Sequence, residues 1–314
     1  MYKLGFDIGG TNIAYGILDE SFNILFKGSS PFPRDPFGEP KAAKYVASYL
    51  RQLSDELCAA YSVPYERIEL IGICIPGSID KTGQTVINAH NLGFHNVKFK
   101  QLVEQAFGKR VLLKNDADSA AIAEHRMGAL KGASCGALVT LGTGVGGGII
   151  INDRLFHGGM GNGIELGHMR LDNNGEECTC GQRGCVETLC SATWLTNQAR
   201  ELLDRGNTAL QGFSNCIDAR ALIECAKLGD AECMKVWNTY LINLSDALAS
   251  IINIIDPEVI AIGGGLSNAG EFLIEPLSRM AVERCFFDDA ARIVKAKLGN
   301  DAGLLGAVMD EASE

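Results

Sequence analysis

A mixed α/β chain divided into two domains is what the sequence predicts, on three observations. The chain has 314 residues, too many for one small core, and two domains are the ordinary partition of that length. Two stretches read as strand, glycine turn and second strand: DIGGTNIAYGILD from Asp7 and LVTLGTGVGGGIII from Leu138. Around them lie segments whose apolar residues recur at helical spacing.

Composition narrows the class. The chain is 46% hydrophobic and 21% charged, ordinary for a soluble globular protein. A net charge of −10 argues against nucleic acid as a main partner, since phosphate backbones want a basic face. The most apolar helical stretch, Leu241 to Ile255, is interrupted by Asn243, Ser245, Asp246 and Asn253, so no membrane span is expected. The 11 cysteines are odd in number, and Met1-Tyr2-Lys3 runs directly into a strand with no secretory leader ahead of it. A reducing cytoplasm is the expected location.

In chain order, Tyr2 to Ile8 reads as a buried strand that turns at Gly9-Gly10 into a second one. These glycines let backbone N–H groups approach an anion, with Thr11 and Asn12 as side-chain donors. Asp7, at the strand end, is placed to hold Mg²⁺ through water. A Gly-Gly hairpin by itself is usually only a turn; the second glycine turn, at Gly142, strengthens the phosphate reading. Residues 31–40 (PFPRDPFGEP) form a proline-rich connection, followed by a helix from Pro40 to Ala60. Ile68 to Ile75 is an apolar strand stopped by Pro76-Gly77. Val111 to Leu113 is another, leading into Asn115-Asp116-Ala117-Asp118 and an alanine-rich helix, Ser119 to Met127. Two acids at a strand-to-helix junction allow one N-cap and one functional group.

The most specific signal lies between Leu138 and Glu187. His168, Cys178, Cys180 and Cys185 offer one imidazole and three thiols, the ligand set of a closed tetrahedral zinc site. Gly181 and Gly184 can take the positive φ needed to wrap short loops around one ion. Four protein ligands leave no open position, so the zinc is expected to be structural. Beyond it, Thr188 to Val236 reads as mostly amphipathic helix with Asp218 as an N-cap. A long helix from Val236 ends at Asp256-Pro257. Val259 to Ile262 is a strand stopped by Gly263-Gly264-Gly265, and a last helix spans Gly303 to Glu311.

GTGVGGG, then ELGH (Glu165 to His168), then CxCGxxGCxE (Cys178 to Glu187) resembles the ROK family of bacterial sugar kinases and sugar-responsive repressors. The likeness runs from DIGGT at Asp7 to GLLGAV at Gly303. It implies the actin-like (ribonuclease H-like) two-domain sugar kinase fold, with one phosphate-gripping hairpin per domain and the nucleotide between them. The division it suggests is residues 1–116 plus about 300–314 for the smaller domain and 117–299 for the larger. The resemblance implies Asp116 as catalytic base, matching the family's Asn-Asp-Ala. Gly77, Asn91, Asn115, Glu165, His168 and Glu187 would contact sugar, while His90 is left open. Asp7, Gly9, Gly10, Thr11, Asn12, Gly142, Thr143, Gly144 and Gly146 would hold phosphates, and Gly264 and Gly265 would lie against adenosine.

Three departures stand out. Asn12 replaces a frequent Lys, Asp118 replaces an Asn and is read as the cap, and Ile164 stands where Gly is usual. The function implied is ATP-dependent phosphorylation of a free hexose at the 6-hydroxyl, with glucose first. N-acetylglucosamine is an alternative, because PRD at Pro33 and CGQRGC look like the N-acetylglucosamine kinases of the family, and N-acetylmannosamine and allose are others, because their kinases share the zinc spacing. Expected cofactors are structural zinc and Mg-ATP, and the resemblance alone suggests a homodimer. A repressor of the same family is the rival from another class, and it carries a DNA-binding module ahead of the first hairpin. A sugar-binding protein without catalysis is the second rival.

Overall fold

The computed structural model describes residues 1–213 and 216–310. They form two units: Met1–Glu124 with Leu155–Ile164 and the segment from Asn300, and His125–Arg154 with Glu165–Gly299. The boundary that the sequence sets after residue 116 therefore shifts into the following helix, and residues 155–164 return to the first unit. The reason for the shift is packing. The first turns of that helix lie on the C-terminal segment, where a side chain added at Gly306 would strike the Ser119 backbone.

The first unit is built on a sheet of β1 (Tyr2–Ile8), β2 (Asn12–Leu18), β3 (Ile24–Pro31) and β4 (Ile68–Ile75). A smaller sheet follows, β5 (Ser78–Ile79), β6 (Val86–Ala89) and β7 (Phe94–Val97), and β8 (Arg110–Asn115) completes the large one in the order β3-β2-β1-β4-β8. β1 is antiparallel to β2 and parallel to β4, which is parallel to β8. The two-residue period of a strand then sorts the side chains. Leu4, Phe6 and Ile8 join the core with helices α1 (Ala43–Ala60) and α2 (Phe99–Phe107), whose Phe107 ring meets Phe6 edge-on at 5.9 Å.

Gly5, Gly16 and Gly72 face the other way, against the C-terminal helix Ala302–Ala307. A Cβ on Gly72 would overlap the Ala307 backbone, so that helix can lie on the sheet only because the position is glycine. Buried Lys114 fastens its end by donating to the Gly306 and Ala307 carbonyls at 2.9 and 3.3 Å and to that of Met309. A cation on the last carbonyls of a helix satisfies acceptors that have no partner within it. This helix is shorter than the sequence suggests, and the expected end at Glu311 lies outside the described residues.

The second unit repeats the sheet plan. β9 (Cys135–Leu141), β10 (Val145–Ile151), β11 (Arg154–Leu155), β12 (Val259–Gly263) and β13 (Arg292–Lys295) run in the order β11-β10-β9-β12-β13. β9 and β10 are antiparallel, while β9, β12 and β13 are parallel. α3 (Asp116–Met127) leads into this unit. Within it follow α4 (Val186–Cys190), α5 (Ala192–Asp204), α6 (Thr208–Gln211), α7 (Ala219–Lys227), α8 (Ala231–Ile255) and α9 (Glu271–Arg284).

Asp218 caps α7 as expected, accepting from Ala221 N–H at 2.9 Å. α8 begins a turn and a half before the expected Val236, because Asp230 accepts from Cys233 N–H at 2.8 Å and starts the helix in a polar stretch. Its buried Trp237 and Tyr240 stack on each other, and Trp237 stacks on Phe272 of α9. Among the described residues no helix is long and apolar enough to cross a membrane.

Candidate functional site

In the first unit the β1–β2 turn is closed by Gly9 N–H on the Asn12 carbonyl at 2.8 Å. Arg34 from the proline-rich connection braces it, one guanidinium nitrogen donating to the Gly10 carbonyl at 2.8 Å and the Asn91 carbonyl at 3.3 Å. Asn91 thus sits over the turn, and a Cβ on Gly10 would lie 3.0 Å from its own. Thr11 and Asn12 are exposed on the outside of the turn. His90 is exposed, and its Nε2 receives the Asn88 amide at 2.7 Å.

Asp7, near the end of β1, is paired in register with Cys74 of β4, which is paired with Lys114 of β8. Gly303 closes over the first two, since a Cβ there would lie 2.6 Å from Asp7 Oδ2 and 3.3 Å from Cys74 Sγ. Burial first, and the Asp116 charge second, push the Asp7 carboxyl up to about 6, partly offset by the Cys74 thiol donating to it. Cys74 carried no sequence signal of function, because strand parity sorts faces without fixing which residue of β4 lies beside Asp7, and Arg34 entered only as part of PRD at Pro33.

The strand-to-helix junction separates two roles that the sequence leaves together. Asn115 Oδ1 accepts Ala117 N–H at 2.8 Å and Asp118 N–H at 3.1 Å, so Asn115 is the cap of α3. Asp118, expected from the sequence to be the cap, lies in the first turn instead, three residues past Asn115, where its own N–H is one of those that Asn115 caps. The Asn115 amide donates to the Gly77 carbonyl at 2.9 Å, where φ is +97° and a Cβ would strike Asn88. Asp116 Oδ1 accepts Ala117 N–H at 2.9 Å and the carboxylate also meets its own N–H, yet burial outweighs both and holds the carboxyl above the usual carboxylate range.

In the second unit the β9–β10 turn is closed by Gly142 N–H on the Gly144 carbonyl at 3.0 Å. Glu187 Oε2 accepts Val145 N–H at 3.1 Å. Thr143 is exposed at this turn and Gly144 half-buried, with Gly146 next along β10. Gly264, at φ +76°, packs on the Leu141 backbone, so the triple glycine and the turn are neighbours, with Gly265 opening the next helical turn. Exposed Glu165 precedes the turn Leu166–His168, whose Gly167 rests on the Val145 carbonyl. Ile164 is half-buried.

His168, Cys178, Cys180 and Cys185 present donor atoms that all lie within 4.8 Å of one another. Cys178 Sγ is 3.5 Å from His168 Nδ1, and Cys180 Sγ is 3.7 Å from Cys185 Sγ. Zinc bonds of about 2.3 Å to sulfur and 2.0 Å to nitrogen in a tetrahedron require roughly these separations. Gly181 and Gly184 have φ of +83° and +66°, the conformation expected of them. Burial and the two neighbouring sulfurs push the Cys185 thiol up to about 12. Three thiolates this close need a cation to hold them, so the residues fit the metal.

Two sheets of one plan, each with a glycine turn on its central antiparallel pair, define the actin-like α/β fold. The chain belongs to the ROK family, which it matches over residues 3–309. It is 34% identical to a glucokinase of Thermotoga maritima, across 97% of this chain and 95% of that one. The crystal structure of a ROK family glucokinase from Streptomyces griseus in complex with glucose and AMPPNP superposes with a TM-score of 0.81 at 31% identity, covering 98% of both chains. A putative xylose repressor of Caldicellulosiruptor sp. is 31% identical over 76% of this chain and 61% of the repressor.

Proposed function

We propose that this protein is an ATP-dependent hexose kinase that phosphorylates glucose at the 6-hydroxyl. The observation that carries the reading is the division of labour at the α3 junction. Asn115 does the capping, which leaves Asp116 as a desolvated carboxylate with a raised pKa and no structural task of its own. A carboxylate that burial makes more basic is suited to accept a hydroxyl proton. The sugar oxygen forms its bond to the γ-phosphorus, the bond from that phosphorus to the ADP oxygen breaks, and the hydroxyl proton passes to Asp116.

Gly77, Asn91, Asn115, Glu165, His168 and Glu187 are assigned to the sugar. The turns at Gly9–Asn12 and Gly142–Gly146 are assigned to the phosphates, and Gly264 and Gly265 to adenosine. Asp7 would hold Mg²⁺, which offsets phosphate charge when bound. The likeness to the glucokinase, 34% identical across 97% of this chain against 31% across 76% for the repressor, supports a kinase over a repressor.

The Cys/His cluster is assigned a structural zinc. None of the 11 cysteines is in a disulfide, and three of them belong to the metal cluster, which supports a reducing cytoplasmic location. A homodimer is proposed, and sedimentation as a strict monomer would refute it. Nucleic acid and membranes are not proposed as partners. An ATP-coupled assay on glucose, N-acetylglucosamine, N-acetylmannosamine and allose tests the central reading. Glucose is expected to give the highest kcat/KM, and no turnover on any free sugar would overturn it.

A further inference from the structure

The segment that follows the metal cluster is bonded to the β9–β10 turn at three points. Ala192 N–H donates to the Gly142 carbonyl at 2.7 Å, the Thr193 hydroxyl donates to the Thr143 carbonyl at 2.6 Å, and Glu187 takes Val145 N–H at 3.1 Å. The third contact differs from the others because Glu187 also stands in the set assigned to sugar. Its carboxylate has two oxygens, and only Oε2 is engaged among the described residues.

The turn is shaped around that carboxylate. A Cβ at Gly144 would fall directly on Glu187 Oε2 and 3.2 Å from its Cδ. Gly144 has no positive φ, so the backbone would tolerate alanine. What a side chain there would have to displace is the Glu187 carboxylate, the end of a flexible side chain. One side chain therefore fixes where the backbone of the phosphate turn lies while its other oxygen remains for a ligand.

We propose that Glu187 is a positioning residue of the nucleotide turn as well as a sugar contact, and that it couples sugar and nucleotide binding within the second unit. The proposal rests on the kinase reading, which assigns the turn to phosphates. A group held at one end by Val145 N–H and at the other by a sugar hydroxyl orders the turn when sugar is bound. By linkage, a bound nucleotide then favours the carboxylate position that receives sugar. The effect is reciprocal, so each site should report a lesion made in the other.

Calorimetry on the zinc-loaded protein tests this, with Mg-ADP titrated in the absence of sugar and glucose titrated in the absence of nucleotide. Glu187→Ala is expected to weaken ADP by roughly tenfold, the scale of one hydrogen bond to a charged group, through the turn it positions. Glu187→Gln, which keeps an acceptor for Val145 N–H, should recover most of that loss. Gly144→Ala should weaken glucose, because the new methyl displaces the carboxylate. In the double variant, Gly144→Ala should cost no further glucose affinity, since no carboxylate remains to be moved.

Unchanged ADP affinity in Glu187→Ala would overturn the proposal and leave Glu187 a sugar contact alone. Normal glucose affinity in Gly144→Ala would overturn it too, and that arm stands even if Glu187→Ala does not fold. Absence of ADP binding by the unaltered protein would instead overturn the kinase reading on which the proposal rests.

Discussion

The two sheets have the same plan but opposite chemistry at matching positions. In the first, Asp7 lies one residue before the last paired residue of β1 and faces Cys74 in the adjacent parallel strand. The same place in the second sheet is Thr140 of β9, which faces Gly263 of β12. One turn thus stands over a buried carboxylate whose charge is expensive to carry. The other is uncharged at that depth and is held by hydrogen bonds from α4 and α5. A shared topology fixes where a turn lies, while the residues behind it decide whether charge or backbone donors do the work.

The largest way to break this comparison is to disrupt the proposed zinc cluster of the second unit. About one zinc per chain is expected by elemental analysis. Cys180→Ser should lower hydrogen-exchange protection throughout that unit by several kcal/mol, given the size of structural zinc binding, and leave the β1–β4–β8 core protected. A metal-free protein with undiminished protection would sink the assignment.

Next in size is Asp116→Asn, expected to lower kcat by at least ~10²-fold with sugar affinity little changed. Asp118→Asn should be nearly silent. Near-normal turnover by the Asp116 variant would remove the base.

A stability effect of opposite sign is expected at Asp7. A carboxyl whose folded pKa lies above its unfolded value costs stability when ionised. That cost is complete above about 6 and absent below the unfolded 3.8. Asp7→Asn should therefore stabilise the nucleotide-free protein at neutral pH, by up to about 3 kcal/mol for a shift of this size, while impairing phosphoryl transfer. The gain should vanish as pH falls below the unfolded value. Thermal melts across that range would show it, and an equal gain at all pH values would refute the charge explanation.

The smallest expected effect tests whether support in the second unit is spread over several bonds. Thr193→Val deletes the hydroxyl on the Thr143 carbonyl and should cost about 1 kcal/mol or less in ADP binding. A loss as large as that of Glu187→Ala would mean that support is not distributed.

Much of the fold was legible in the sequence because the signals were local. β1 and β4 begin and end where expected, since an apolar run meeting Gly9 or Pro76-Gly77 marks its own limit. The Cys/His cluster of His168, Cys178, Cys180 and Cys185 was legible from residue type and spacing, and the fold brings those four side chains together. α1 starts at Ala43 rather than Pro40, without a side-chain cap to mark it. The strands β5, β6 and β7 are two to four residues long, too short for periodicity to register. At Asn115 and Asp118 the residue types were right but the cap was misplaced, a matter of where one turn begins. The contacts of Arg34, Cys74 and Glu187 were not legible, because they join residues far apart in the chain and leave no local pattern.

The seam between the first sheet and the C-terminal helix bears on how the chain is made. The glycine face of β1, β2 and β4 is covered by residues 302–309, and Lys114 finds its carbonyls there. On the ribosome, this half of the protein is synthesised first and closed last. Its bare sheet must wait for almost the entire chain to emerge, while most residues of the other half already have their neighbours. A nascent chain stalled before Ala302 would hold a buried-type lysine and an uncovered sheet face together, which is the kind of surface that chaperones retain.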